Sequence, residues 1–275
     1  MITPIILFLV GLVLLIKGGD WFVDGATGIA HKFHVPDLLI GATVVSIGTT
    51  LPEVMVSATS AVSGHGEIAY GNAIGSIICN TALIAAISIA VKPSRVDKKT
   101  LTIPVIFFYV STALYLFTAY VTKRFDRVTG VLLLLIFVTY IGIQVYQAMH
   151  GKNPEAAAAD AEVAEVAAAE ADTASNSTGK DLLLLVIGAA FIAIGANLFN
   201  LVLVSGVSIL LSPFDLPNSK QIGAYNASLV VDIPVMLSVM LILTIPPLIK
   251  GRMTRLQGII LLAIYAAFCI FQFAL

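Results

Sequence analysis

Charged side chains are scarce in this 275-residue chain: only 11% of its residues are Asp, Glu, Lys or Arg, whereas 59% are hydrophobic. A soluble domain usually carries about 25% charged residues, so the composition excludes an ordinary soluble protein. The formal net charge of −1 offers no excess of positive charge for a nucleic-acid backbone. The sequence therefore predicts an integral membrane protein without a nucleic-acid partner.

Cysteines and catalytic motifs are equally scarce. The two cysteines, Cys79 and Cys269, both fall in apolar runs, and we interpret them as small core residues rather than as a disulfide or a metal pair. The sequence contains no nucleotide-binding motif, no G-x-S-x-G and no H-E-x-x-H. We therefore expect neither an enzyme nor a protein with a cofactor, and an intramembrane hydrolase is a weak alternative.

Long apolar runs are the main positive feature. Several of them reach the roughly 20 residues that an α-helix needs to cross a bilayer. They predict an all-α polytopic membrane protein with about eight transmembrane helices. The predicted helices are residues 4–30, 38–62, 70–91, 101–122, 128–148, 181–211, 222–246 and 253–274.

One segment interrupts this pattern. Residues 149–180 spread six acidic residues among alanines, and no apolar residue larger than valine occurs between Pro154 and Lys180. Such a segment cannot bury a core, so it is interpreted as a linker. It divides the chain into residues 1–148, with five predicted helices, and residues 181–275, with three.

The most informative stretch runs from Gly41 to Asn80 and contains Gly-Thr-Thr-Leu-Pro-Glu at residues 48–53. Pro52 removes a helical hydrogen bond and is expected to kink the helix, which frees carbonyl groups near Gly48 and Thr49. Glu53 places a carboxylate where charge is costly, and such carboxylates are usually functional. Together with Thr49 and Thr50, these groups predict an all-oxygen site for a hard cation such as Ca²⁺ or Na⁺.

The next predicted helix adds three polar residues to the same site. Asn72, Ser76 and Asn80 are spaced four apart, so they share one face of an α-helix. Gly71 and Gly75 lie beside them, and small residues let another helix backbone approach closely. The amides and the hydroxyl would contribute neutral oxygens to the cation.

These motifs resemble the first α-repeat of the sodium/calcium exchanger family, within the calcium/cation antiporters. GTTLPE stands where that family has G-T-S-L-P-E, and GNAIGSIICN stands where it has G-N-x-x-G-S-N-x-x-N. The resemblance implies exchange of Ca²⁺ against Na⁺ by an inverted-repeat helix bundle of ten transmembrane helices. It implies Glu53 as the carboxylate ligand, with Thr49, Thr50, Asn72, Ser76 and Asn80 around it.

The second half of the chain repeats only part of this pattern. Gly75–Asn80 matches residues 195–200 at an offset of 120, but no second GTTLPE occurs. We infer that a family helix is missing, so that Glu53 faces Asn197 and Asn200 instead of a second glutamate, and Ca²⁺ should bind less tightly. Residues 181–211 as one helix would be about 46 Å long, which predicts a tilt, a protrusion or a break at Gly195. Asp232, in the following helix, is not assigned as the missing ligand.

The loop charges predict an orientation. Counted over alternate loops of eight helices, ten Lys and Arg residues fall on one side and four on the other. The positive-inside rule then places the linker in the cytoplasm and both termini outside, with the plasma (inner) membrane as the expected location. Besides the weak hydrolase alternative, two functions stay open: a cation/proton exchanger, in which H⁺ replaces Na⁺, and a degenerate family member that transports nothing. A homodimer, which could restore a two-carboxylate site, is a possible assembly.

Overall fold

Eight helices account for most of the chain that the structure, a computed structural model, describes. The described residues are 2–32, 46–93, 96, 98–150 and 193–274. The helices are α1 (Ile2–Lys32), α2 (Ser46–Val62), α3 (Gly66–Val91), α4 (Lys98–Thr122), α5 (Arg127–His150), α6 (Ala193–Leu211), α7 (Ser228–Lys250) and α8 (Arg255–Ala274). The predicted linker at residues 149–180 lies outside the described residues, except for the last two residues of α5.

Seven of these helices are long and apolar enough to cross a membrane, and α2 is the exception. The described part of α2 has 17 residues, and the predicted beginning of this helix, residues 38–45, lies outside the described residues. The prediction of an all-α polytopic bundle is confirmed. Exposed Ile, Leu, Val and Phe side chains cover the outer faces of α1, α5 and α8, as expected for surfaces that face lipid.

Two helices carry a π-helical segment at equivalent places. The π segment of α3 begins at Asn80 and that of α6 begins at Asn200, which is the offset of 120 found in the sequence. Both helices also end alike, because Lys92 and Ser212 leave the helix in an extended conformation. In the described part of α6, Gly195 lies inside regular helix, so the predicted break is not at Gly195. The irregularity follows five residues later.

Glycine permits the closest helix contacts. A Cβ added at Gly258 of α8 would lie 2.6 Å from the Ala86 carbonyl oxygen of α3. A Cβ added at Gly130 of α5 would lie 2.7 Å from the backbone nitrogen of Leu210 in α6. Any side chain at these two positions would therefore push the helices apart.

Short strands and aromatic rings close the end of the bundle where α3 begins. Strand β1 (Arg124–Phe125) pairs antiparallel with β2 (Phe214–Asp215), and β3 (Gln221–Ile222) pairs with β4 (Tyr225–Asn226). A chain of ring contacts joins α3, α4, β1 and β2, formed by Tyr70, Tyr115, Phe125 and Phe214. At the opposite end, Lys98 donates to the Ile249 carbonyl and Arg255 to that of Val91.

Candidate cation site

Helix α2 carries the most distinctive motif and continues through its proline. Pro52 lies inside the helix Ser46–Val62, although its nitrogen donates no hydrogen bond and its ring crowds the carbonyl four residues earlier. The carbonyl that loses this bond belongs to Gly48, and it lies close to Gly19 of α1, where an added Cβ would be 3.5 Å from its oxygen. Gly48 itself leaves room for the Val23 side chain. The motif thus also docks α1 onto α2.

Glu53 lies one residue after this proline and is half-buried. Its Oε2 atom is fully buried and has no hydrogen-bond partner among the described residues. A buried carboxylate oxygen without a partner is costly unless a cation or a donor reaches it. The atom therefore has the chemistry expected of a ligand rather than of a structural hydrogen-bond acceptor.

Asn72 of α3 links this carboxylate helix to the next one. Its Nδ2 donates to the backbone carbonyl of Glu53 at 3.3 Å and to the hydroxyl of Ser57 at 2.8 Å. Asn72, Ser76 and Asn80 are all half-buried, and regular α-helix from Gly66 to Cys79 leads up to Asn80. The structure therefore keeps the three predicted residues of α3 on one helix face, with Asn72 bonded to the helix of Glu53.

The two asparagines of α6 are more deeply buried than those of α3. Asn197 is 0% exposed and Asn200 is 3% exposed, and the Oδ1 atom of each has no hydrogen-bond partner among the described residues. The Nδ2 of Asn197 donates to the Thr81 hydroxyl at 2.6 Å and lies 3.2 Å from the sulfur of Met240. These contacts join α6 to α3 and α7.

The helices that contain these residues, α2, α3 and α6, contact one another in the bundle. The π segment Asn200–Val204 packs against both α2 and the first half of α3, and α2 and α3 pack against each other. Within the described residues, no group of three or more His, Cys, Asp or Glu side chains could hold a metal. The arrangement therefore offers one carboxylate and several neutral oxygens, which suits a weakly bound hard cation.

Sequence reasoning missed three residues at this site. Ser57 could have been found, because it lies one helical turn after Glu53. Thr81 and Met240 gave no signal, since they are 116 and 43 residues from Asn197. Of the two predicted hydroxyl ligands, Thr50 is buried. Thr49 belongs to α2, but its side chain is not among the described ones.

Asp232 belongs to a separate cluster at the start of α7. Its Oδ1 accepts a hydrogen bond of 2.8 Å from Gln272, and the carbonyl and the side-chain oxygen of Gln272 accept from Lys220. Asp232 and Gln272 are half-buried near the loop that holds the strands. These bonds tie the ends of α7 and α8 to that loop.

Several known proteins are similar to this chain. An uncharacterized membrane protein of Methanocaldococcus jannaschii is 36% identical over 195 residues, which cover 70% of this chain and 58% of that relative. The sodium/calcium exchanger MaX1 of Methanosarcina acetivorans is 35% identical over 136 residues, 48% of this chain and 38% of that protein. The chain thus spans less than two thirds of the curated relatives that it matches.

The fold has a counterpart among solved structures. The sodium-calcium exchanger NCX_Mj, in a structure soaked with Na⁺ and Sr²⁺, gives a TM-score of 0.57 at 26% identity, with 97% of each chain covered. The family model described as sodium/calcium exchanger protein matches residues 3–146 and 181–274. Both helical parts of the molecule are included in this match. This integral, multi-pass membrane protein belongs to the sodium/calcium exchanger family.

Proposed function

We propose that the chain exchanges Ca²⁺ for Na⁺ across the membrane, with the candidate cation site binding the two ions in turn. The observation that carries the proposal is a set of three buried oxygens without hydrogen-bond partners among the described residues: Glu53 Oε2, Asn197 Oδ1 and Asn200 Oδ1. They lie on helices that pack against one another. Unpartnered oxygens in a bundle interior are stabilised when a cation binds.

The charge of the site favours weak binding and ready release. One carboxylate neutralises Na⁺ and leaves a net charge of +1 when Ca²⁺ is bound. Ca²⁺ affinity rises with the number of charged ligands, so this site should bind Ca²⁺ less tightly than one with two carboxylates. Weak binding is compatible with transport, because an exchanger must release its ion on the far side.

The ligand roles follow from residue chemistry. Glu53 is the carboxylate ligand. The neutral oxygens come from Thr49 and Thr50 of α2, from Asn72, Ser76 and Asn80 of α3, and from Asn197 and Asn200 of α6. Each half of the bundle thus contributes to the site, as in inverted-repeat transporters.

The organisation and orientation are part of the same proposal. The first repeat comprises residues 1–148, the acidic linker residues 149–180 and the shortened second repeat residues 181–275. Lys98, at the start of α4, and Arg255, at the start of α8, share one end of the bundle, whereas Lys123 lies at the other end of α4. The protein lies in the plasma membrane, and the end of the bundle with more Lys and Arg faces the cytoplasm. Both termini are then outside the cell.

The test is uptake of ⁴⁵Ca²⁺ into proteoliposomes loaded with Na⁺, comparing the wild type with Glu53→Gln. Glutamine keeps the size of the side chain and removes its charge, so uptake should be lost. Glu67→Gln is the matched control, because Glu67 lies at the exposed start of α3 and its side chain bonds to the exposed His65. Its uptake should equal that of the wild type.

The remaining outcomes discriminate between the alternatives. Uptake driven by a pH jump without Na⁺ would replace Na⁺ by H⁺ as the counter-ion. Absence of any uptake by a folded, reconstituted protein would show that the missing second acidic motif abolishes transport. Equal loss in Glu53→Gln and Glu67→Gln would contradict the assignment of Glu53 as the ligand.

A further inference from the structure

The two asparagines that bridge helices near the site are held in the same chemical manner. Asn72 donates from Nδ2 to one hydroxyl, that of Ser57, and to one carbonyl oxygen, that of Glu53. Asn197 donates from Nδ2 to one hydroxyl, that of Thr81, and to one sulfur, that of Met240. In each case the amide nitrogen has two acceptors, and the Oδ1 atom of Asn197 has no hydrogen-bond partner among the described residues.

The partners determine which end of each amide faces them. A hydroxyl group can donate or accept, so it tolerates either orientation of an amide. A backbone carbonyl and a thioether can only accept. If the Asn197 amide were rotated by half a turn, its oxygen would face the sulfur of Met240, and its N–H groups would lose both acceptors. Met240 therefore selects the orientation, as the Glu53 carbonyl does for Asn72.

Thr81, Asn197 and Met240 each contact the other two. The hydroxyl of Thr81 lies 3.3 Å from the Met240 sulfur and can donate to it, which leaves its lone pairs for the Asn197 amide. Thr81, Asn197 and Met240 are each 0% exposed, so water does not compete for these bonds. The three residues come from α3, α6 and α7, and the amide is fixed only while these helices keep their positions.

We propose that Met240 and Thr81 are positioning residues that orient the Asn197 amide so that its oxygen is available to the transported cation. Ser57 and the Glu53 carbonyl orient the Asn72 amide in the same way in the first half of the bundle. The proposal rests on the proposed exchange function. Its specific content is that a buried methionine sulfur, which itself binds no Ca²⁺ or Na⁺, controls cation affinity through an amide.

Met240→Leu tests the role of the sulfur. Leucine removes the acceptor, and swaps of this kind between hydrophobic residues of similar volume usually change stability little. The concentration of Ca²⁺ for half-maximal Na⁺-dependent uptake should rise about fivefold, which corresponds to roughly 1 kcal/mol for one hydrogen bond. The maximal rate should stay close to that of the wild type.

Met236→Leu is the matched control. Met236 lies one turn before Met240 on α7 and is also 0% exposed, and it is not a partner in the bonds of Asn197. Its half-maximal Ca²⁺ concentration should equal that of the wild type. Thr81 supplies a second pair: Thr81→Val should weaken Ca²⁺ binding, and Thr81→Ser should recover most of that loss because it keeps the hydroxyl.

The upward shift of the melting temperature by saturating Ca²⁺ provides a readout that does not require transport. It should be smaller in Met240→Leu than in Met236→Leu, while the melting temperatures without Ca²⁺ are similar. If the wild type exchanges Ca²⁺ and both methionine variants keep its affinity, the positioning role is wrong and the exchange function stands. If the wild type neither transports Ca²⁺ nor is stabilised by it, both proposals are refuted.

Discussion

Asn200→Asp should convert the site from one carboxylate to two and thereby raise its affinity for Ca²⁺. Asn200 is 3% exposed, and its Oδ1 has no hydrogen-bond partner among the described residues. The replacement changes one atom of the side chain and hardly alters its volume. It therefore tests the charge of the site with little disturbance of packing.

The size of the effect is the difference between two opposing contributions. A unit charge attracts another at 4 Å by about 4 kcal/mol at an effective dielectric constant of 20, and Ca²⁺ doubles that attraction. Burying the new carboxylate costs several kcal/mol, and it also repels Glu53 on the neighbouring helix. Because only the ion-bound state gains the attraction, we expect Ca²⁺ to bind at least about tenfold more tightly, or about 1.4 kcal/mol.

Two measurements separate these contributions. Without Ca²⁺, the variant should melt at a lower temperature than the wild type, because two carboxylates in one site repel each other. With Ca²⁺, its melting temperature should rise by more than that of the wild type. Asn218→Asp is the control, since Asn218 is exposed in the loop after β2. If Ca²⁺ raises the melting temperature of Asn200→Asp by no more than that of Asn218→Asp, the assignment of Asn200 to the site is refuted.

Further predictions concern the scaffold. Gly258→Ala should lower the melting temperature, since its Cβ would lie 2.6 Å from a carbonyl oxygen of α3 and overpacking costs about 1–3 kcal/mol. Gly142→Ala in α5 meets nothing within 4 Å and should instead stabilise by about 0.5–1 kcal/mol; equal effects of the two changes would contradict the packing described. Asp126 caps α5 by accepting bonds from the backbone N–H and hydroxyl of Thr129, so Asp126→Ala should cost about 1 kcal/mol in thermal unfolding. The same bonds lower the pKa of Asp126. The stabilisation that Asp126 gives the folded protein should therefore be present above the unfolded pKa of about 3.9 and be lost as the pH falls through the lower folded pKa. A difference in stability between the wild type and Asp126→Ala that does not change with pH would disprove this.

Much of the site could be predicted because its signals are local. The spacing of Asn72, Ser76 and Asn80 places them on one helix face whatever surrounds the helix. Glu53 is conspicuous in an apolar helix because a charge there needs a reason. The match between Gly75–Asn80 and residues 195–200 likewise depends only on order along the chain, and it coincides with the equivalent π segments of α3 and α6.

Predictions that depended on the surroundings of a residue were less successful. Of the tilt, protrusion or break predicted for residues 181–211, a break at Gly195 does not occur, because residues 193–199 of α6 form regular helix. A glycine permits a break but does not require one. The freed carbonyl of Gly48, which the sequence predicts as part of the cation site, also lies close to Gly19 of α1, and that contact was not predicted. A single sequence cannot show which neighbour will approach an available carbonyl group.

The sequence by itself determined that this is a helical membrane protein and which carboxylate occupies an apolar helix. It also placed most of the described helices to within a few residues, although α7 begins at Ser228 rather than at residue 222. These properties follow from composition and periodicity, which act within one segment. Only the tertiary structure decided that Thr81 and Met240 hold the Asn197 amide, because those contacts join residues 116 and 43 positions apart. Bonds between distant segments depend on how whole helices pack, and helix packing is set by the sum of many small contacts rather than by any one motif.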